Sequence, residues 1–115
     1  PQELVRLGDD NNCCVNSGLQ DRYSLFSFRG FEHLRDGLPQ FQSITAFQAN
    51  SLATAVRRVG VDQSDSINAQ YVTGSYFQTL GVTAATGRLL EPADDRADAA
   101  PVFVISHRLW HDRYG

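Results

Sequence analysis

The stretch "NAQYVTGSYFQTLGV", residues 68–82, decides how the rest of the chain is read. It begins with a strand-like alternation, breaks at Gly74, turns through a short helical pattern and stops at Gly81. It contains no acid, base or thiol, so its residues speak of shape rather than chemistry. Ser75 followed by Gln78 fits a capping box, in which the serine hydroxyl and the glutamine side chain satisfy backbone N–H groups at a helix start. Tyr76, Phe77 and Leu80 then fall on a helix too short to stand alone. The spacing predicts that they insert into a neighbouring surface, with Phe77 as a buried anchor.

Upstream, "FQSITAFQA" and "LATAVRRVGV" carry period-two patterns, and "INAQYVT" repeats the pattern with Ile67, Ala69 and Tyr71 on one face. Strands joined by such short breaks are expected to form an antiparallel set. Before them, Phe28, Phe31 and Leu34 recur at helical spacing after Leu25, with Leu38 just beyond, and predict an amphipathic helix whose aromatics enter the core. Gly37 stands where a left-handed cap belongs, and Pro39 forbids continuation. Near the start, "ELVRL" alternates well enough for a short strand, followed by the polar "GDDNNCC" loop.

Downstream, Pro92 opens a helical turn, with Asp94 and Asp95 placed to offset its N-terminal dipole. "APVFVIS" is a continuous apolar run that predicts a buried strand. Ser106 is positioned to cap the helix in "HRLWHDRYG", with Ile105 and Trp110 as a hydrophobic staple and Trp110 and Tyr114 on one face.

The 115 residues fit one domain, and 42% hydrophobic with 20% charged residues marks a globular rather than a disordered segment. The net charge is −3, every basic residue is arginine, and only Arg57 and Arg58 adjoin. That pattern excludes the clustered cations that nucleic-acid binding requires. No apolar run approaches the roughly 20 residues of a membrane span. The chain opens on Pro1 without an initiator Met and stops just after a helical pattern, so it is expected to be a piece of something longer.

Catalytic signatures are sparse. His107 and His111 share a helix face as in the H-E-x-x-H metal motif, but Arg108 stands where the general-base Glu would be, which favours ordinary surface histidines. His33, beside Glu32, is equally unremarkable. There is no G-x-S-x-G elbow, phosphate loop or dinucleotide fingerprint. Cys13 and Cys14 are adjacent, which strains a mutual disulfide. They stand open as reduced thiols, a strained vicinal bond or halves of bridges to other parts of a longer chain. Asp94 and Asp95 would be metal ligands only if further carboxylates converged. These residues lead to no catalytic site, no cofactor and no metal centre.

From "YSLFSFRGFEHLRDGLPQFQSITAFQ" through "YVTGSYFQTLGVTAATGRLLEPADD" to "APVFVISHRLWHDRYG", the chain resembles the MacB-like periplasmic core domain of ABC transporter permeases. The motif positions fall on Val72, Tyr76, Phe77, Gly81, Val82, Gly87, Arg88, Asp94 or Asp95, Pro101, Val102, Val104, Ile105, Ser106, Trp110 and Gly115. The resemblance implies an α+β fold, a porter-like βαβ and antiparallel sheet with packed helices and a smaller second lobe, as part of a two-lobed periplasmic domain. It implies that residues 1–115 are the N-terminal portion of a periplasmic domain inserted between the first and second transmembrane helices of an inner-membrane protein. The implied role is noncatalytic: transmitting the cycle of a separate ATPase domain or subunit, and contacting a periplasmic adaptor or a substrate for export, in a permease that is a homodimer. The competing expectation is an extracytoplasmic binding or sensor module outside transport. An oxidising periplasm further implies that Cys13 and Cys14 are oxidised.

Overall fold

The computed structural model describes residues 3–7 and 26–115. Cys13, Cys14, Leu25 and the polar loop around the cysteines lie outside the described residues. The fold is α+β. In chain order it comprises helix α1 (Phe28–Gly37), strands β1 (Leu52–Arg57) and β2 (Ser64–Ala69), the short helix α2 (Tyr76–Thr79), a 3-10 turn (Pro92–Asp95) and helix α3 (His107–Arg113).

Helix α1 starts on Ser27, whose Oγ accepts from the Gly30 N–H at 3.1 Å. Such a cap is worth about 1 kcal/mol. Phe31 is buried and Leu34 half-buried, so one stripe faces inward, but Phe28 is 58% exposed. The aromatic face therefore enters the core only through Phe31. Gly37 is not the left-handed cap expected of it: it is the last helical residue, and the described glycines with positive φ are Gly60, Gly81 and Gly87. Leu38 follows in a non-helical conformation and Pro39 stops propagation.

β1 and β2 form an antiparallel hairpin with Leu52 opposite Ala69, Thr54 opposite Ile67 and Val56 opposite Asp65. Its turn is closed by Val61 N–H donating to the Arg58 carbonyl at 3.2 Å, and Gly60 supplies φ 83 at the position where a type II turn demands it. Asp65, Ile67 and Ala69 share the half-buried face, as period two requires, while β1 is exposed except at Val56. The expected antiparallel set thus reduces to two strands, and α1 does not cover them. Polar contacts tie the hairpin to the C-terminal end of α3. Arg113 Nη1 lies 3.2 Å from Asp65 Oδ1, and the Arg58 guanidinium stacks 5.0 Å from the Tyr114 ring centre.

Three expected strands are corrected. Residues 3–7 form no strand. "FQSITAFQA" contributes a single antiparallel bridge, Phe47 with Val72. "APVFVIS" is neither a strand nor buried, since Val102 is 42% and Phe103 72% exposed. An apolar β-branched run favours extended backbone, but only a partner strand turns that preference into a sheet. Among the described residues no strand pairs with it, and the one sheet is the β1–β2 hairpin.

Candidate functional site

The best-organised part of the molecule is a junction where residues 43–48 run antiparallel to residues 70–79. Thr73 lies at its centre and is buried. Its N–H donates to the Ala46 carbonyl at 2.9 Å, while the Gln48 N–H donates to the Tyr71 carbonyl at 2.7 Å. The Thr73 hydroxyl takes part in a 2.6 Å bond with Thr45 Oγ1 and accepts from the Ala46 N–H at 3.0 Å. Two more hydroxyls extend the line: Ser75 Oγ donates to the Ile44 carbonyl at 3.2 Å, and Ser43 and Thr79 hydroxyls meet at 2.7 Å. Gln70 Nε2 adds a bond to the Gln48 carbonyl. Side chains here supply much of what a backbone ladder supplies in a sheet, and this is why only one bridge forms.

The capping box expected at Ser75 and Gln78 is absent. Ser75 itself has helical dihedrals, φ −76 and ψ −6, and its hydroxyl makes no cap bond. A Ser N-cap needs an extended backbone to aim its oxygen at the helix; Ser75 spends that oxygen on the Ile44 carbonyl instead. The far end of α2 is the stronger device. Val82 N–H donates to the Phe77 carbonyl at 2.9 Å and Gly81 N–H to the Gln78 carbonyl at 3.0 Å, with Gly81 at φ 69. These two bonds with a left-handed glycine constitute a Schellman motif. The sequence element Phe77, Gly81, Val82 is therefore the signature of one particular helix stop. Tyr76 packs its ring against Phe47 at 6.1 Å and against Phe77 at 5.4 Å, both edge-on. Phe77 is half-buried rather than fully enclosed.

A second device follows immediately. Gly87, at φ 73, turns the chain so that Arg88 faces the 3-10 turn. Arg88 grips Asp94 with both guanidinium nitrogens, Nη1 to Oδ2 at 2.7 Å and Nη2 to Oδ1 at 2.8 Å, and Nη1 also donates to the Leu89 carbonyl. Asp94 accepts from the Glu91 N–H at 2.8 Å as well, completing a reciprocal capping box with Glu91. The Arg88 fork, aided by the Glu91 N–H, holds the Asp94 carboxyl down at about 2, and the same pairing raises Arg88 above its usual value. The other carboxylate, Asp95, reaches across to accept the Gly74 N–H at 2.8 Å. Gly74 is pressed onto the Glu91–Pro92 peptide so closely that no side chain fits between them. Beyond the dipole role expected of both, Asp94 closes the 87–95 loop on itself and Asp95 fastens that loop to the junction.

Beside the junction lies a groove of about 920 Å³, lined by Leu4, Phe26, Phe31, Leu34, Ile44 and Tyr76 among others. Its walls are chiefly apolar, and Arg6 stacks near the Phe47 ring at 5.9 Å. Ser106 caps α3 as expected, accepting from the Leu109 N–H at 3.2 Å; Trp110 stays 43% exposed and meets His107 edge-on at 5.9 Å. Pro101 leads into the exposed 102–104 run. Among the described residues no three His, Cys, Asp or Glu side chains group as metal ligands, and no helix is long and apolar enough to cross a membrane. The structure therefore brings Val72, Ser75, Tyr76, Phe77, Gly81, Gly87 and Arg88 into one continuous region with Asp94 and Asp95, and leaves Pro101, Ser106 and Trp110 apart from it. Thr73, Gly74 and Glu91 are the members that sequence reasoning missed. The signal for Gly74 was its place between a strand pattern and a helical turn.

Residues 4–115 match the MacB-like periplasmic core domain, and the chain belongs to that family. The family is an extracytoplasmic module of ABC transporter permeases in the inner membrane. Neither a curated protein nor a solved structure matches the chain.

Proposed function

We propose that this chain is a noncatalytic part of a permease's periplasmic domain that passes the ATPase-driven conformational cycle to the substrate side of the membrane. The observation that carries the reading is the use to which the family's motif residues are put. Phe77, Gly81 and Val82 form a helix stop, and Gly87, Arg88 and Asp94 form a clamp, so the motif builds a stiff connection rather than a reaction centre. A stiff connection suits rigid-body transmission.

The partners in this reading are an ATP-binding domain or subunit acting through the membrane part, a second copy of the permease in a homodimer, and a periplasmic adaptor or the exported substrate at the exposed surfaces. The exposed 102–104 run is then a seam against which the remainder of a two-lobed domain packs. Cys13 and Cys14 are oxidised in that compartment, and intact mass after alkylation without reductant should show no alkyl adducts.

The test has two arms. Sequencing the reading frame around the segment should reveal apolar stretches of roughly 20 residues on both sides. Soluble flanks behind a signal peptide would instead favour an extracytoplasmic binding or sensor module outside transport. In the intact transporter, Arg88→Gln should leave ATP hydrolysis running while substrate movement falls. Equal transport by the variant and the parent would overturn a role for the clamp in coupling.

A further inference from the structure

His107 and His111 stand one helical turn apart on α3, with ring centres 6.3 Å apart and planes inclined by 27°. Both are exposed, so their side chains can turn at the cost of no more than the surface contact between His107 and Trp110. Asp112 Oδ1 lies 3.7 Å from His111 Nδ1. At that distance no hydrogen bond forms, and the contact leaves the His111 ring nitrogens available to a ligand. Arg108 lies between the histidines in sequence, but its side chain is 92% exposed and leans towards Asp112 at 3.9 Å. Its charge is thus directed at an anion rather than at the space between the rings. Arg113 is engaged on another side of the helix by Asp65.

From this arrangement we infer that His107 and His111 form a two-imidazole site for a borderline divalent transition ion, with water completing its coordination. Two imidazoles bound at about 2.0 to 2.1 Å to one ion have ring centres roughly 5 Å apart. The observed separation therefore closes by about 1 Å through rotation of two exposed side chains, with no movement of the helix. Nitrogen donors of this kind favour Cu²⁺ over Ni²⁺ and Zn²⁺. The site is independent of the transport reading, since it needs only α3.

The molecule carries its own reporter. Trp110 is the sole tryptophan of the chain, and its ring lies 5.9 Å from that of His107. With Cys13 and Cys14 first reduced and then alkylated, so that neither competes for the ion, titration of the full chain with CuCl₂ should quench Trp110 fluorescence in a saturable, one-to-one manner. ZnCl₂ should compete with it. His107→Gln and His111→Gln should each weaken Cu²⁺ at least tenfold, while His33→Gln on α1 should leave the curve unchanged. Quenching that is linear in Cu²⁺, or that survives either α3 substitution at full strength, would overturn the site.

Discussion

Gly74 and Glu91 are seventeen positions apart in sequence, yet the backbone of one lies directly against the peptide of the other, with the Gly74 N–H tied to Asp95. The contact leaves no room for a β-carbon. Gly74→Ala must therefore push the 87–95 loop away from the junction, break the bond to Asp95, or both. A loss of about 2 kcal/mol or more is expected, in the range of overpacked interior sites. Gly37→Ala provides the contrast, because a β-carbon there meets nothing within 4 Å and the residue is helical. It should raise stability by about 0.5 to 1 kcal/mol. Urea midpoints of the two variants should move in opposite directions.

Gly81 holds φ 69 in the Schellman stop of α2. An alanine there must adopt a left-handed conformation that costs about 1 kcal/mol, and the change should lower the melting temperature without altering the far-ultraviolet spectrum of the folded protein. Gly81→Asn should lose less, because asparagine tolerates that region.

The Thr73 hydroxyl meets Thr45 and the Ala46 N–H inside the junction. Thr73→Val keeps the shape and strands those partners, so a loss of about 1 to 3 kcal/mol is expected. Thr73→Ser should recover most of it, as read by denaturant unfolding of the three proteins side by side.

The aromatic anchors differ in depth. Phe31 is buried and Phe77 half-buried. Phe31→Ala should cost about 3 to 5 kcal/mol, whereas Phe77→Ala should cost about 1 to 2 kcal/mol. Equal losses would show that α2 is enclosed more deeply than its exposure implies.

Acid should loosen the clamp. The folded protein holds Asp94 at about 2, below its ordinary value of 3.8, so between those values the unfolded chain binds the proton more readily than the folded one. The clamp's contribution is therefore complete above about pH 4 and lost as pH falls through about 2. Asp94→Asn should flatten that part of the stability profile, which urea unfolding at successive pH values would reveal.

What could be read from sequence was whatever is decided within a few residues. The Pro92 turn, the Ser106 cap and the Gly81 stop each depend on groups no more than five positions away, and each was legible. The clamp was half legible: Arg88 and Asp94 stood among the motif positions, but a six-residue spacing in a loop does not say that they meet. The junction was hidden, since Thr45 and Thr73 are 28 positions apart, and Ser43 and Thr79 are 36 apart. Its effect reached back into local readings. Ser75 has a good cap sequence but gives its hydroxyl to Ile44, because a distant carbonyl outbids the helix. The apolar run at 101–105 shows the converse, a strand preference left unrealised without a neighbour.

The hydroxyl-lined junction also carries its own signature in deuterium uptake. Along residues 45–48, the amides of Ala46 and Gln48 point across to the 71–73 segment, and each is bound. The Gln48 amide is held by a backbone carbonyl, but that of Ala46 is held by the Thr73 hydroxyl alone. Replacing that hydroxyl should speed exchange at Ala46 while Gln48 continues to exchange slowly, so a single proton times the opening of the hydroxyl seam separately from the backbone pairing beside it.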